Sequence, residues 1–337
     1  MSQHRNIWRT LPGIVISGVC LWWTFRGFHL HDFSDLRVVA PVWLLGVVLF
    51  TILGYGTRCY RWYRMLRSVG SSFAACARVL LTSLAANNIL PFRIGDVMRI
   101  FTYAEDLHTT PSVIMSTVLL EKLLDVFTLA VMMALSLMLG GAGAGSPHLR
   151  MLTEVSVAVS TVGLLVMVFG ATTIEQLMKK VVAKAKKPLL RKIEHWVILA
   201  LDCIRQIGVV GTLMLILTSF IAWGFEVMLY ISAAHAIGMT SDALGPMQAT
   251  AEANLSFLVP SSPGGIGPFE FACKDALLRH GIQAVPAGLF GLVIHVWFLV
   301  SLTAVGGIWF LIHRKHLATH KPLLQEIETL PEELPQE

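Results

Sequence analysis

Long apolar runs alternate with short basic or Gly/Pro-containing stretches along the whole of this chain. A helix needs about 20 mostly apolar residues to cross a hydrocarbon core of roughly 30 Å. Residues 11–27, 40–59, 111–140, 152–173, 207–239 and 285–312 are read as six such crossings. The first has the length of a signal sequence, but it shows no small-x-small cleavage site and runs into a charged connector, so it is kept as a span. Two further apolar runs, 79–90 and 245–259, are too short to cross, and the second carries Glu252 and Asn254. The expected fold class is an all-α polytopic membrane protein with about six full spans plus two re-entrant helical hairpins.

Charge places these elements relative to the bilayer. Arg58, Arg61, Arg64 and Arg67 follow the second run, and Lys179, Lys180, Lys184, Lys186, Lys187, Arg191 and Lys192 follow the fourth. By the positive-inside rule both stretches are cytoplasmic, as are His313, Arg314 and Lys315 after the last run. The stretches 140–147 and 238–245 carry almost no positive charge and are expected outside. Both termini then lie in the cytoplasm and the chain in the inner membrane. Alternation holds only if each short run returns to its own side, the first entering from the cytoplasm and the second from outside. Composition agrees: 55% of residues are hydrophobic, 14% are charged and the mean hydropathy is +0.68. The net charge of +5 is accounted for by these orienting blocks, so no nucleic-acid partner is expected.

A faint duplication links the two short runs. "NNILPFRIGDVMR" (87–99) and "NLSFLVPSSPGGIGPFEFACK" (254–274) both give Asn, a proline, Ile-Gly and an acidic residue. Downstream, Pro111 opens a run carrying Glu121, and Pro286 lies near the start of one carrying His295. Each half reads span, re-entrant hairpin, span, and the two halves run in opposite directions. The expected organisation is a single membrane domain, 1–337. It comprises an N-terminal span (1–38), a first repeat (39–140, hairpin near 73–99), a connecting span and basic loop (141–205), a second repeat (206–313, hairpin near 245–280) and a cytosolic tail (314–337).

Paired Gly/Pro interruptions in an inverted repeat point to a substrate site at the midplane. Broken backbone is tolerated in a bilayer only inside protein or beside a wet cavity, and freed helix N-termini favour an anion. The candidate substrate-binding residues are Asn88, Pro91, Arg93, Gly95, Asp96 and Arg99 in the first break. In the second they are Asn254, Pro260, Pro263, Gly264, Gly265, Gly267 and Glu270. The competing reading makes 260–269 a loop clear of the bilayer.

Ionisable side chains within apolar runs are costly and call for partners. Arg93 and Arg99 bracket the first break and could hold a phosphate bidentately; the competing reading is snorkelling, or pairing with Asp96. Glu121 falls about 15 Å into its helix, with Arg93 or Arg99 as its nearest partner, and Lys122 is within reach of Asp125. Glu226 is expected to gather with Glu252, Asn254 and Glu270. Glu121, Lys122, Asp125, Glu226 and Glu252 form the candidate set for charge relay or coupling. His295 reads first as a packing histidine, with a proton relay as the alternative. Cys20, Cys59, Cys76, Cys203 and Cys273 form no Cys-x-x-Cys pair, and the twelve histidines show no metal-ligand spacing. No Walker loop or Gly-x-Ser-x-Gly occurs, so no metal, cofactor or ester chemistry is expected.

"NNILPFRIGDVMR", "EKLLD" (121–125) and "VPSSPGGIGPFE" (259–270) together resemble the transmembrane, flippase-type domain of lysylphosphatidylglycerol synthases, over roughly residues 40–313. The resemblance implies paired re-entrant hairpins and movement of a phospholipid or polyprenyl-phosphate-type lipid between leaflets. The chain ends at Glu337, so a stand-alone member without the aminoacyl-transferring domain is expected. The expected function is therefore transport, without enzyme chemistry, of a lipid with an anionic phosphate headgroup; a homo-oligomer is left open. The alternatives are a membrane-embedded transferase using the same arginines, with Glu121 or Asp125 as base, or an accessory subunit.

Overall fold

The computed structural model describes residues 3–29, 32, 37–90, 93–140, 145–169, 188–239 and 242–317. Among these the chain is helical, with no strand. The helices are α1 (Gln3–Phe25), α2 (Val42–Leu66), α3 (Phe73–Ile89), α4 (Ile94–Phe101), α5 (Pro111–Leu139), α6 (Pro147–Phe169), α7 (Pro188–Ala236), α8 (Leu244–Leu255), α9 (Pro268–Arg279) and α10 (Ala284–Leu317). Pro91, the lysines from Lys179 to Lys187 and the tail from 318 lie outside the described residues.

Five helices among the described residues are long and apolar enough to cross a membrane: α2, α5, α6, α7 from Arg205, and α10. The sixth expected crossing is α1, whose apolar part, Pro12–Phe25, is shorter. The chain is an integral membrane protein. Its outward faces show it: Val42, Leu45, Leu49 and Ile52 form an exposed apolar stripe along α2, spaced as one helix face. Polar groups turn inward instead, with Arg61, Arg99, Glu121, Glu226, Glu270 and His295 all buried.

The short helices fold into two hairpins. The ends of the first meet where Arg78 pairs with Asp106 at 3.0 Å and Ser71 Oγ donates to the Leu107 carbonyl at 2.6 Å. Its two arms press together at Gly95, where an added Cβ would fall 1.9 Å from the Ser83 carbonyl oxygen, so only glycine fits. The second closes likewise, with the start of α8 against the end of α9: Gly245 lies against His280, and His280 Nε2 is 2.8 Å from Gln248 Oε1. The first hairpin opens beside the C-terminal end of α2, the second beside its N-terminal end, where Val39 N donates to the Ala236 carbonyl at 2.8 Å. The hairpins therefore enter from opposite ends of the bundle.

Packing follows the same exchange. α2 lies along α7, α3 packs on α10, and α8 packs on α5, so each first arm rests on the last span of the other half. α1 stands outside this pairing and packs on α9. α7 bends at Gly208, whose φ of 65° and ψ of 179° separate a leading segment from the apolar part.

Candidate functional site

The second helix break packs against the end of α3, where the first hairpin turns. Ser262 N, in the second break, donates to Ser17 Oγ of α1 at 2.9 Å. Asn88, at the end of α3, donates from Nδ2 to Thr303 Oγ1 of α10 at 3.2 Å. Between them Gly264, at φ 71°, sits so close to the first break that a Cβ there would come within 3.3 Å of the Asn88 carbonyl oxygen. The run 260–269 is thus not a loop clear of the bundle. Two broken helices meeting inside a membrane protein, one from each end, is the arrangement that decides between the readings.

Residues 11–330 match the family model described as the lysylphosphatidylglycerol synthase TM region. The chain belongs to that family. No curated protein matches it.

In this family member the first hairpin is held by an arginine–carboxylate pair. Arg99 on α4 makes a bidentate pair with Glu121 on α5, Nη1 to Oε1 at 3.2 Å and Nη2 to Oε2 at 2.5 Å. The guanidinium lies 3.8 Å above the Trp62 ring, and Trp62 Nε1 donates to Thr117 Oγ1 at 3.1 Å. Arg99 has no solvent exposure at all. Asp96 serves the start of α4: its backbone N–H donates to Asn87 Oδ1 at 3.2 Å, and its carboxylate accepts from Asn87 Nδ2 at 3.1 Å and pairs with Arg93 Nε at 3.3 Å. Lys122 lies 3.7 Å from both Asp96 and Glu121. Arg93 occupies the left-handed region at φ 54°, which points its side chain across to the other tip, 3.5 Å from the Phe257 carbonyl. The side chains of Arg93 and Lys122 keep 43% and 33% of their exposure, so these, and not Arg99, are the cations a ligand could meet.

The second hairpin is held differently. Glu270, at the third position of α9, closes a capping box by accepting the Gly267 N–H at 2.7 Å, while Pro268 opens the helix. Its other oxygen meets His295 Nδ1 of α10 at 2.7 Å, and His295 Nε2 faces the Gly264 carbonyl at 2.9 Å. Phe269 stacks on the imidazole at 4.1 Å. Gly265 abuts the Phe257 ring, Pro263 opens the single turn before it, and Pro260 is exposed at the surface.

The carboxylates expected to gather do not. Glu226 takes Arg58 at 2.5 Å and Asn254 Nδ2 at 2.7 Å; Glu252 takes Arg279 and Gln248; Glu270 takes His295. Asp125 pairs not with Lys122 but with Arg61, at 2.8 Å, and accepts from Trp223 Nε1 at 3.1 Å. Arg58 and Arg61 are therefore not loop residues. α2 runs on to Leu66 and turns both inward, because carboxylates on α5 and α7 neutralise them there. Sequence reasoning missed these arginines, Trp62 and Ser17; the three-residue spacing of Arg58 and Arg61, which shares a helix face, was the available signal. Cys20, Cys59, Cys76 and Cys273 are unpaired. A cavity of about 570 Å³ opens not at the tips but beside the mouth of the second hairpin, with Arg37, Asp32, Met239 and Gln283 on its walls.

Proposed function

We propose that the protein moves an anionic lipid between leaflets, its phosphate headgroup passing the contact between the two tips while the acyl chains stay in lipid. The observation that carries this reading is the meeting of the tips beside Arg93 and Lys122, two partly exposed cations, while the buried Arg99 and Arg61 are already taken by carboxylates. A guanidinium and an ammonium grip phosphate with charge-assisted hydrogen bonds, and the shared Asp96 keeps them positioned when no headgroup is bound. The cavity at the opposite end, with Arg37 on its wall, would receive the headgroup on the other leaflet. Passage requires the tips to part, by rocking of the two halves that meet where α3 packs on α10 and α8 on α5. Arg99 and Glu121 stay paired throughout and act as the fastening of the first hairpin, not as ligands.

In this reading the headgroup is carried unchanged, the arginine-rich end faces the cytoplasm, and the membrane is the inner one. The test uses the full chain in phosphatidylglycerol/phosphatidylethanolamine liposomes with fluorescent phosphatidylglycerol and an impermeant quencher. Quenchable signal from the inner leaflet should appear with the protein and slow in Arg93→Gly and Lys122→Gln. A lipid that stays put, or one recovered with an altered headgroup, overturns the reading.

A further inference from the structure

Two of the buried carboxylates, Glu121 and Glu226, face the arginines Arg99 and Arg58, and the partly buried Asp125 and Glu252 face Arg61 and Arg279. Glu270 faces none among the described residues. Its carboxylate is met by His295 and by the Gly267 N–H. An arginine stays charged at any pH a cell meets, whereas an imidazole exchanges its proton close to neutrality.

The geometry fixes how many protons this pair must hold. His295 Nδ1 faces a carboxylate oxygen at 2.7 Å and Nε2 faces the Gly264 carbonyl oxygen at 2.9 Å. A carbonyl only accepts, and so does an ionised carboxylate, so both ring nitrogens must donate, which an imidazole does only as the imidazolium. Moving one proton from His295 to Glu270 gives a neutral pair with the same total. In either form the pair contains one proton more than a carboxylate beside a neutral imidazole. Among the described residues the other titratable groups around it are the thiols of Cys20 from α1 and Cys273 from α9, the Tyr230 hydroxyl of α7 beyond Cys273, and Glu252 of α8, already paired with Arg279. None supplies a replacement cation.

Loss of that proton leaves a ring nitrogen lone pair against an oxygen, either at Glu270 or at Gly264. Gly264 is the residue that touches Asn88 of the opposite tip. The same proton is therefore shared between the join of α9 to α10 and the join of α10 to Gly264, the residue of the second tip that lies against Asn88 of the first. We propose that Glu270 and His295 form a proton-binding site whose occupancy controls the parting of the tips, so that lipid passage is coupled to the proton gradient, with one proton released from the pair and rebound per cycle. The coupling rests on the translocation reading above; the proton site does not.

Two experiments separate them. In the first, the full chain with nitrogen-15-labelled histidine is placed in lipid nanodiscs, and the His295 resonances are assigned by their loss in His295→Gln. Both ring nitrogens, or one nitrogen together with a protonated Glu270 seen by infrared difference spectroscopy against Glu270→Gln, should carry the proton at pH 7. A neutral imidazole beside an ionised Glu270 across pH 5–9 overturns the site. In the second, the liposome assay is run with an imposed pH gradient. One proton per lipid predicts about a tenfold shift of the steady-state leaflet ratio per pH unit, lost in His295→Gln and in His295→Arg, whose charge is permanent. Lipid that moves without regard to the gradient overturns the coupling and leaves translocation standing. If no lipid moves, the translocation reading fails and coupling with it, while the nanodisc spectra still decide the proton site. Gel filtration of each variant shows whether it has folded.

Discussion

In the first hairpin the returning arm is fastened to the next span by an arginine and a glutamate; in the second the same join is made by a glutamate and a histidine. The positions correspond, since Glu121 and His295 both sit part-way along the long helix that follows each hairpin. The first pair is bidentate and capped by the Trp62 ring. The second depends on a single exchangeable proton. Two hairpins of one plan thus differ in how readily they can be released: the first is the fixed jaw and the second is the movable one.

The comparison can be broken most directly at the two fastenings. Arg99→Ala should be the most damaging single change, since it leaves Glu121 buried without its partner; breaking such a pair costs about 3–5 kcal/mol. Thermal unfolding in detergent, followed by gel filtration, measures it. Joint replacement by Arg99→Met and Glu121→Leu should recover most of that loss, and a double variant as unstable as the single one would refute a purely neutralising role. His295→Gln in the second hairpin should cost less, about 1–3 kcal/mol, because Glu270 can take up a proton when its partner goes.

Next in size is Gly95→Ala, which drives a methyl group into the Ser83 carbonyl. Overpacking of this kind costs about 1–3 kcal/mol, and protease sensitivity between α3 and α4 should rise in parallel. Arg93→Gly is a smaller effect of opposite sign. Relief of the left-handed backbone, which disfavours side-chained residues by about 1–2 kcal/mol, should leave the variant at least as stable as the parent while lipid movement slows. A variant that is destabilised instead would make Arg93 part of the fastening. The smallest change is Lys122→Gln, a partly exposed ion pair that should move stability by no more than about 1 kcal/mol. A larger drop would mean that the first hairpin relies on Lys122 as well as Arg99.

Much of this was legible before the structure, for identifiable reasons. Gly/Pro breaks at 91 and 260–267 announce short helices, because a proline lacks the N–H that a helix interior needs and the glycines permit positive φ. Glu121 announced a partner because an isolated carboxylate in an apolar helix is too costly to stand alone, and one of the two arginines suggested for it is the one that binds. Arg99, suggested as a ligand for the same reason, lies paired with Glu121 and without exposure. A sequence shows that a buried charge must be matched, but not whether the match is a neighbour or a substrate. Arg58 and Arg61 were assigned to a loop because the positive-inside rule reads charge along the chain. Their carboxylates come from α5 and α7, far away in sequence. The tip contact between Gly264 and Asn88 carried no local signal, since it exists only once the halves interlock.

The helix that belongs to neither half covers one flank of the second break. Ser17 receives the Ser262 amide, and its carbonyl crowds Gly267 so closely that a Cβ there would fall 2.5 Å away. α1 is thus a bolt laid across one side of the second kink. Stripped of that bolt, the kink would present a bare amide to hydrocarbon, at several kcal/mol for each such group.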